Sequence, residues 1–228
     1  MKVSYHGHSV VQFENNGKKG IIDPFINGNE LTDLKVEDIV VDYILLTHGH
    51  NDHVGDTVEI AKKNDATVIA PFELANLMES KGCKTLPMGI GGKKEYDFGG
   101  VKFVHAFHSS SFNENDGSVS YTGMPTGIIL FLGDKKVYHV GDTGLFGDMK
   151  LISDINGAFD VAFVPIGGNF TMDVSDAIIA VDEFIKPKIA VPVHYNTFPP
   201  IEQDPEVFKK GLKTECQVLT PGESVQFK

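Results

Sequence analysis

The sequence predicts an α/β protein in which two packed sheets are covered by outer helices, and three observations predict it. Apolar, β-branched runs alternate with helical repeats along 228 residues. No low-complexity linker or composition break divides them, so a single domain over 1–228 is expected. The rhythm also repeats, with hairpins early in each half and strand–helix units late, as a duplicated sandwich would have.

In chain order, KVSYHGHSVVQF (2–13) reads as a strand, closed by the turn-forming ENNGKKG. GIID (20–23) is a second strand, stopped by Pro24, and VDYILLT (41–47) is a strongly apolar third. Helical spacing follows His53, with Val54, Val58, Ile60 and Ala61 on one side. TVIA (67–70) is a buried strand, and the helix 72–82 ends on Gly82. Residues 95–108 read as a hairpin turning at Gly99–Gly100, and the polar, glycine-rich 109–127 as a loop. A hairpin over 127–143 turns near Gly133–Asp134. A helix over 146–155, a strand over 159–167, a helix after Asp173 or Ser175 and a strand over 188–194 follow. A helix near 204–213 and two short strands, CQVLT and SVQF, come last.

Composition excludes several classes. Hydrophobic residues at 41% and charged residues at 22% fit a soluble globular chain. The net charge of -11 repels polyanions, so neither nucleic acid nor an anionic membrane is an expected partner. All 20 basic residues are Lys, which leaves no bidentate guanidinium for phosphate or carboxylate. An anionic substrate would have to be gripped by metal, Lys or backbone N–H. Cys83 and Cys216 stand alone, as reduced thiols do. MKVSYHGHSV lacks the apolar core of a signal peptide, and no apolar run reaches membrane-spanning length. A cytoplasmic protein acting on a small molecule is therefore expected, with homo-oligomer formation left open.

LLTHGHNDHVGD (45–56) carries the chemistry. His48, His50, Asp52 and His53 fall within six residues, in the turn between a strand and a helix. An extended backbone sends His48 and His50 to one side, and a turning one fans Asp52 and His53 to another. One loop can thus serve two neighbouring ions. Further candidates end other strands: His108, Asp142 and His194. His105 lies on the other face of its strand and is read as structural, and His139 as a core or interface histidine.

HGHNDH, followed by His108, Asp142 and His194 at 55, 34 and 52 residues further on, resembles the metallo-β-lactamase superfamily. YHGHSVV, IIDPF, GDTG and VPVHYNTFP resemble its small bacterial branch of metal-dependent hydrolases, similar to ascorbate-6-phosphate lactonase. The resemblance implies a four-layer αββα sandwich. It implies two divalent metal ions, with zinc first and manganese or iron as alternatives. His48, His50 and His108 would hold one ion, Asp52, His53 and His194 the other, and Asp142 would bridge them. Asp142 stands where the antibiotic-degrading branch commonly has Cys. His50 stands where the oxygen-reducing di-iron branch has Glu.

The expected activity is hydrolysis of a small ester or lactone by a hydroxide shared between two metals about 3.5–4 Å apart. A small phosphodiester, or metal binding without turnover, is the alternative. Asp52, Asp142 and His8 are the expected catalytic residues. His6 and His8 share a face of the first strand; the resemblance favours His8 behind a ligand or against substrate, and a structural role stays open. Asp23 either orients a ligand imidazole or caps a turn. Asn169, Tyr195, Asn196 and Thr197 are expected on rim loops, and 109–125 as a lid or a plain surface loop.

Overall fold

A computed structural model describes residues 1–227. The first sheet contains β1 (Lys2–Tyr5), β2 (Val11–Asn15), β3 (Lys18–Ile22), β4 (Tyr43–Leu45), β5 (Thr67–Pro71) and β6 (Lys84–Met88), in that order. β1–β2–β3 pair antiparallel, and β3 to β6 pair parallel. Helices α1 (Asn51–Val54), α2 (Thr57–Asn64) and α3 (Phe72–Ser80) fill the crossovers that parallel strands require.

The second sheet repeats that plan. β7 (Lys93–Tyr96) and β8 (Gly99–His105) form a hairpin. A two-stranded ribbon, β9 (Ser111–Asn113) and β10 (Val119–Tyr121), stands outside both large sheets. β11 (Thr126–Leu132) pairs antiparallel with β8 and with β12 (Lys135–His139). β13 (Val161–Pro165), β14 (Ile189–Val193) and β15 (Glu215–Cys216) extend the sheet in parallel from β12. Helices α4 (Asp148–Asn156), α5 (Val174–Ile179), which runs on as a π-helical turn over Ala180–Ile185, and α6 (Pro205–Gly211) complete this half.

Alternating side chains sort the residues into layers. Leu45, Phe163, Val191 and Ile128 face the seam between the sheets, with Phe13, Phe98 and Phe103. Ile44, Leu46 and Val68 point outward onto Ile60, Leu74 and Met78. Ala162, Val164 and Ile129 point outward onto Met149, Val181 and Phe208. The result is the four-layer αββα sandwich. Among the described residues no helix is long and apolar enough to cross a membrane.

Several local expectations are corrected. Segment 2–13 is two strands, because Gly7 (φ 90) and His8 (φ 55) turn the chain between them. Val10 N–H donates to Gly7 O and His6 N–H to Val10 O, closing that turn. His6 and His8 therefore do not share a strand face. The 95–108 hairpin turns at Asp97–Phe98, since Tyr96 pairs with Gly99. Gly99 serves a close approach instead: a Cβ there would lie 2.3 Å from Phe131 O. Residues 109–127 are not a plain loop but include the β9–β10 ribbon, which turns through Asp116–Gly117. β6 was not anticipated, and the helix after His53 breaks at Gly55. The last two strands shrink to β15 and a single bridge between Ser4 and Ser224.

Candidate binuclear metal centre

The parallel strands of both sheets end at one rim. β3 delivers Asp23, β4 delivers Thr47 and His48, β12 leads to Asp142, and β14 to His194. β8, running antiparallel to β11, reaches the same rim and leads to His108. Two hydrogen bonds stitch the halves together there: Thr126 N–H donates to Thr47 O (3.0 Å), and His194 N–H to His8 O (2.8 Å). His8, Asp23 and His194 all adopt left-handed φ (55, 47 and 55°). Strain of this kind persists only where surrounding structure over-determines it, and it clusters at functional sites.

Seven of the predicted residues converge, as two sets around one carboxylate. In the first set, His48 Nε2 lies 3.0 Å from His50 Nδ1, which lies 3.3 Å from His108 Nε2. In the second, Asp52 Oδ2 lies 3.7 Å from His194 Nε2 and 4.0 Å from His53 Nε2. Asp142 Oδ2 stands between them, 3.7 Å from His108, 4.0 Å from His48, 3.3 Å from His53 and 3.0 Å from His194. Four ligands placed about 2.0–2.1 Å from a tetrahedral cation stand about 3.3–3.4 Å apart, which these spacings bracket. His53 Nε2, His194 Nε2 and Asp142 Oδ1 are buried without an aligned hydrogen-bond partner. Buried polar atoms are normally satisfied, so such orphans facing one another fit absent cations.

The imidazoles are fixed from behind. Asp23 accepts from Thr47 N–H (2.8 Å), Thr47 Oγ1–H (2.6 Å) and His53 Nδ1–H (2.8 Å). Having given its proton to Asp23, the Thr47 hydroxyl must accept from His48 Nδ1–H at 2.9 Å. Asp23 thus orients both His53 and His48, and leaves Nε2 of each as the ring atom that faces the cluster. Gly49 sits between two ligands because a Cβ there would lie 2.0 Å from Thr122 Oγ1. Thr122 and Ser110 share a hydrogen bond (2.7 Å), and Ser110 Oγ accepts from Gly49 N–H (3.0 Å).

The electrostatics divide the imidazoles. Burial opposes charge on Asp52 and Asp142, but His53 and His194 outweigh it and hold both carboxyls far below the usual range. Burial opposes charge on His53 and His194 too, and the carboxylates beside them, Asp142 first, raise both, His194 to about 9. Burial, helped by neighbouring imidazoles, lowers His48, His50 and His108. Those three are neutral at pH 7, as cation ligands must be.

Of the remaining candidates His8 stays with the second set and the others scatter. His8 is fully buried, with Nδ1 2.9 Å from Thr197 Oγ1 and Nε2 3.2 Å from Asp52 Oδ2. His6 instead bridges Ser4 and Asp33, away from the cluster. His105 packs its ring on Phe146, and His139 joins Ser9 O (2.9 Å) to Gly141 N–H (3.2 Å) in the core. Tyr195 lies in the outer core of the second sheet, Asn196 accepts from Gln203 N–H, and Asn169 is exposed. Sequence reasoning missed Thr47, Ser110 and Thr122. Only Thr47 carried a signal, its position directly before His48. The β9–β10 ribbon is tied to the ligand loop: Asn51 Oδ1 accepts from Asn113 N–H (2.9 Å) and Asn51 Nδ2 donates to Asn113 O (3.0 Å).

Comparison with known proteins gives the family. Residues 21–195 match the family described as the beta-lactamase superfamily domain. A UPF0173 metal-dependent hydrolase of Staphylococcus carnosus is 60% identical over 100% of both chains. One of Lysinibacillus sphaericus is 59% identical over 99% of both. Among solved structures, Igni18, a metallo hydrolase from Ignicoccus hospitalis, superposes with a TM-score of 0.88 at 37% identity, covering 100% of this chain and 99% of that one. An isothiocyanate hydrolase from Delia radicum gut bacteria shares the fold, with a TM-score of 0.78 at 18% identity and coverage of 100% and 99%. The chain belongs to the metallo-β-lactamase superfamily and, within it, to the UPF0173 family of metal-dependent hydrolases.

Proposed function

We propose that this hydrolase cleaves a small ester or lactone at a two-cation centre. The observation that carries the reading is the place of Asp142 Oδ2, within 4.0 Å of four imidazole nitrogens from two separate sets. His48, His50 and His108 would hold one cation, Asp52, His53 and His194 the other, with Asp142 shared. Nitrogen and carboxylate donors without thiolate suit zinc first, with manganese or iron as alternatives. When bound, the two cations supply a water whose pKa falls to about 7 and polarise the carbonyl under attack.

The protein's own groups do the rest. Asp23 and Thr47 keep His53 and His48 oriented with Nε2 toward the cluster. His8 holds Asp52 from the far side, and Thr197 fixes the His8 ring. The ribbon is fastened to the ligand loop by Asn51, and Ser109 Oγ, just before the ribbon, lies 3.4 Å from His50 Nε2. The free thiols Cys83 and Cys216 are consistent with a cytosolic setting.

The test is metal analysis of the purified protein beside turnover of lactones, carboxylic esters, thioesters and small phosphodiesters. Two equivalents of metal with lactone or ester turnover is the expected result. Phosphodiester turnover alone would replace the reading, and tight metal with no turnover of any class would leave a binding protein.

A further inference from the structure

The rim around the centre contrasts with the rest of the surface. Seven segments build it: 6–10, 23–34, 46–56, 106–125, 140–147, 166–173 and 194–204. None of them contains a lysine, and the chain has no arginine. Lysines gather where strands begin, at the opposite end of the sheets: Lys18 and Lys19 at the β2–β3 turn, Lys84 opening β6, Lys135 and Lys136 opening β12, and Lys188 before β14. Lys81, which reaches the ribbon, is held by Glu114 at 2.6 Å. The rim segments instead expose Glu30, Asp116, Asp173, Glu202 and Asp204. Cations at the centre would leave little net positive charge, because Asp23, Asp52 and Asp142 already lie within the cluster. No fixed side-chain charge is available to hold a phosphate.

What the rim offers is phenyl surface. Phe25 and Phe198 lie 6.0 Å apart and both set their rings edge-on to His8, at 5.5 and 5.6 Å. Phe107, which precedes His108, is 65% exposed, and Phe170 is 56% exposed. Both belong to loops bound to Thr143, the residue after Asp142. Phe107 N–H donates to Thr143 Oγ1 (3.0 Å), and Met172 N–H donates to Thr143 O (2.9 Å). Phe25 and Phe198 thus flank His8 on one side of the centre, and Phe107 and Phe170 stand on two loops joined at the neighbour of Asp142.

Building on the hydrolase reading above, we propose that the substrate is an uncharged ester or lactone with an apolar chain, and that phosphorylated substrates are rejected. Apolar groups gain from covering exposed phenyl rings. A phosphate would meet an acidic rim with no counter-charge. Hydrolysis breaks the acyl C–O bond. The water oxygen stays on the acyl carbon, and the leaving alkoxide takes a proton to become a hydroxyl. The new carboxylic acid then ionises, and the acidic rim repels this product, so one charge pattern both selects the substrate and releases the product.

The experiment compares δ-decalactone, δ-valerolactone and 6-phosphoglucono-δ-lactone on the metal-loaded protein by pH-stat. We expect kcat/KM to be highest for δ-decalactone and at least about 100-fold lower for the phosphorylated lactone. Phe107→Ala and Phe170→Ala should each lower the δ-decalactone to δ-valerolactone ratio about tenfold, mainly through KM, and Phe170→Lys should raise kcat/KM for the phosphorylated lactone. Preference for the phosphorylated lactone, or a ratio unmoved by both alanine variants, overturns the inference while leaving the hydrolase reading intact. Absence of turnover for every lactone and for carboxylic esters, with two metal equivalents bound, overturns both.

Discussion

At the scale of single residues, the centre rests on one shared carboxylate and one carboxylate behind it. Asp142→Asn keeps the shape of the side chain and removes its charge. The expected outcome is loss of one of two metal equivalents and a fall in kcat of at least about 100-fold, since even losing a group behind a ligand costs 10–100-fold. Full metal content with unchanged turnover would show that Asp142 is not shared. Protonation gives a second residue-level test. His53 and His194 have raised pKa values without metal, the latter about 9, so both carry protons at pH 7 and must release them to bind a cation. His48, His50 and His108 are lowered and release none. Calorimetric metal titration at pH 7 should therefore show heats that depend on the buffer's ionisation enthalpy, with the His194 share of that dependence fading above about pH 9. Heats independent of buffer at pH 7 would contradict the assignment.

At the scale of elements, two short pieces decide the site's shape, and both were misread from sequence. The β1–β2 turn places His8 against Asp52, whereas a continuous strand would have carried it past the rim. Gly7 was the visible signal, a glycine inside a strand pattern. The ribbon was hidden because its Ser and Asn residues resemble loop composition, although Asp116–Gly117 between alternating residues is a hairpin signal. Asn51 holds the ribbon with two hydrogen bonds, each worth about 1 kcal/mol net. Asn51→Ala should leave the fold intact, speed amide exchange over 111–121 and raise KM more than it lowers kcat. Unchanged exchange there would mean that the ribbon is held by its other ties, Lys81–Glu114 and Gly49–Ser110 among them.

At the scale of the molecule, two sheets meet at one rim, and cation binding joins them across the seam. Ligands come from both sheets, so a bound cation stabilises the native state by mass action, about 2.7 kcal/mol at a hundredfold excess over Kd. For a chain of this length that corresponds to a melting shift of about 5–10 °C. Removing metal with a chelator and dialysing it away should lower the melting temperature by that amount, and adding zinc back should restore it. A melting temperature indifferent to complete metal removal would count against any cation at this centre.

Much of this was legible locally. His48, His108, Asp142 and His194 each lie one to three residues beyond a strand, and His50, Asp52 and His53 follow in the turn and short helix after β4, so the apolar runs that mark strands also mark where these ligands fall. The αββα layering was implied by the family resemblance that the HGHNDH motif carries, and the alternation of Tyr43-Ile44-Leu45-Leu46 between two cores fits it. The sequence by itself determined most of the long strands and the identity of the candidate ligand side chains, because periodicity and residue type are properties of the chain. Only the tertiary structure decided that Asp142 stands between two triads, that Asp23 and Thr47 orient the imidazoles, and that lysines are absent from one rim. Those facts depend on which strand ends meet in space, and contacts between residues as distant as His8 and Thr197, 189 positions apart, leave no mark in local spacing.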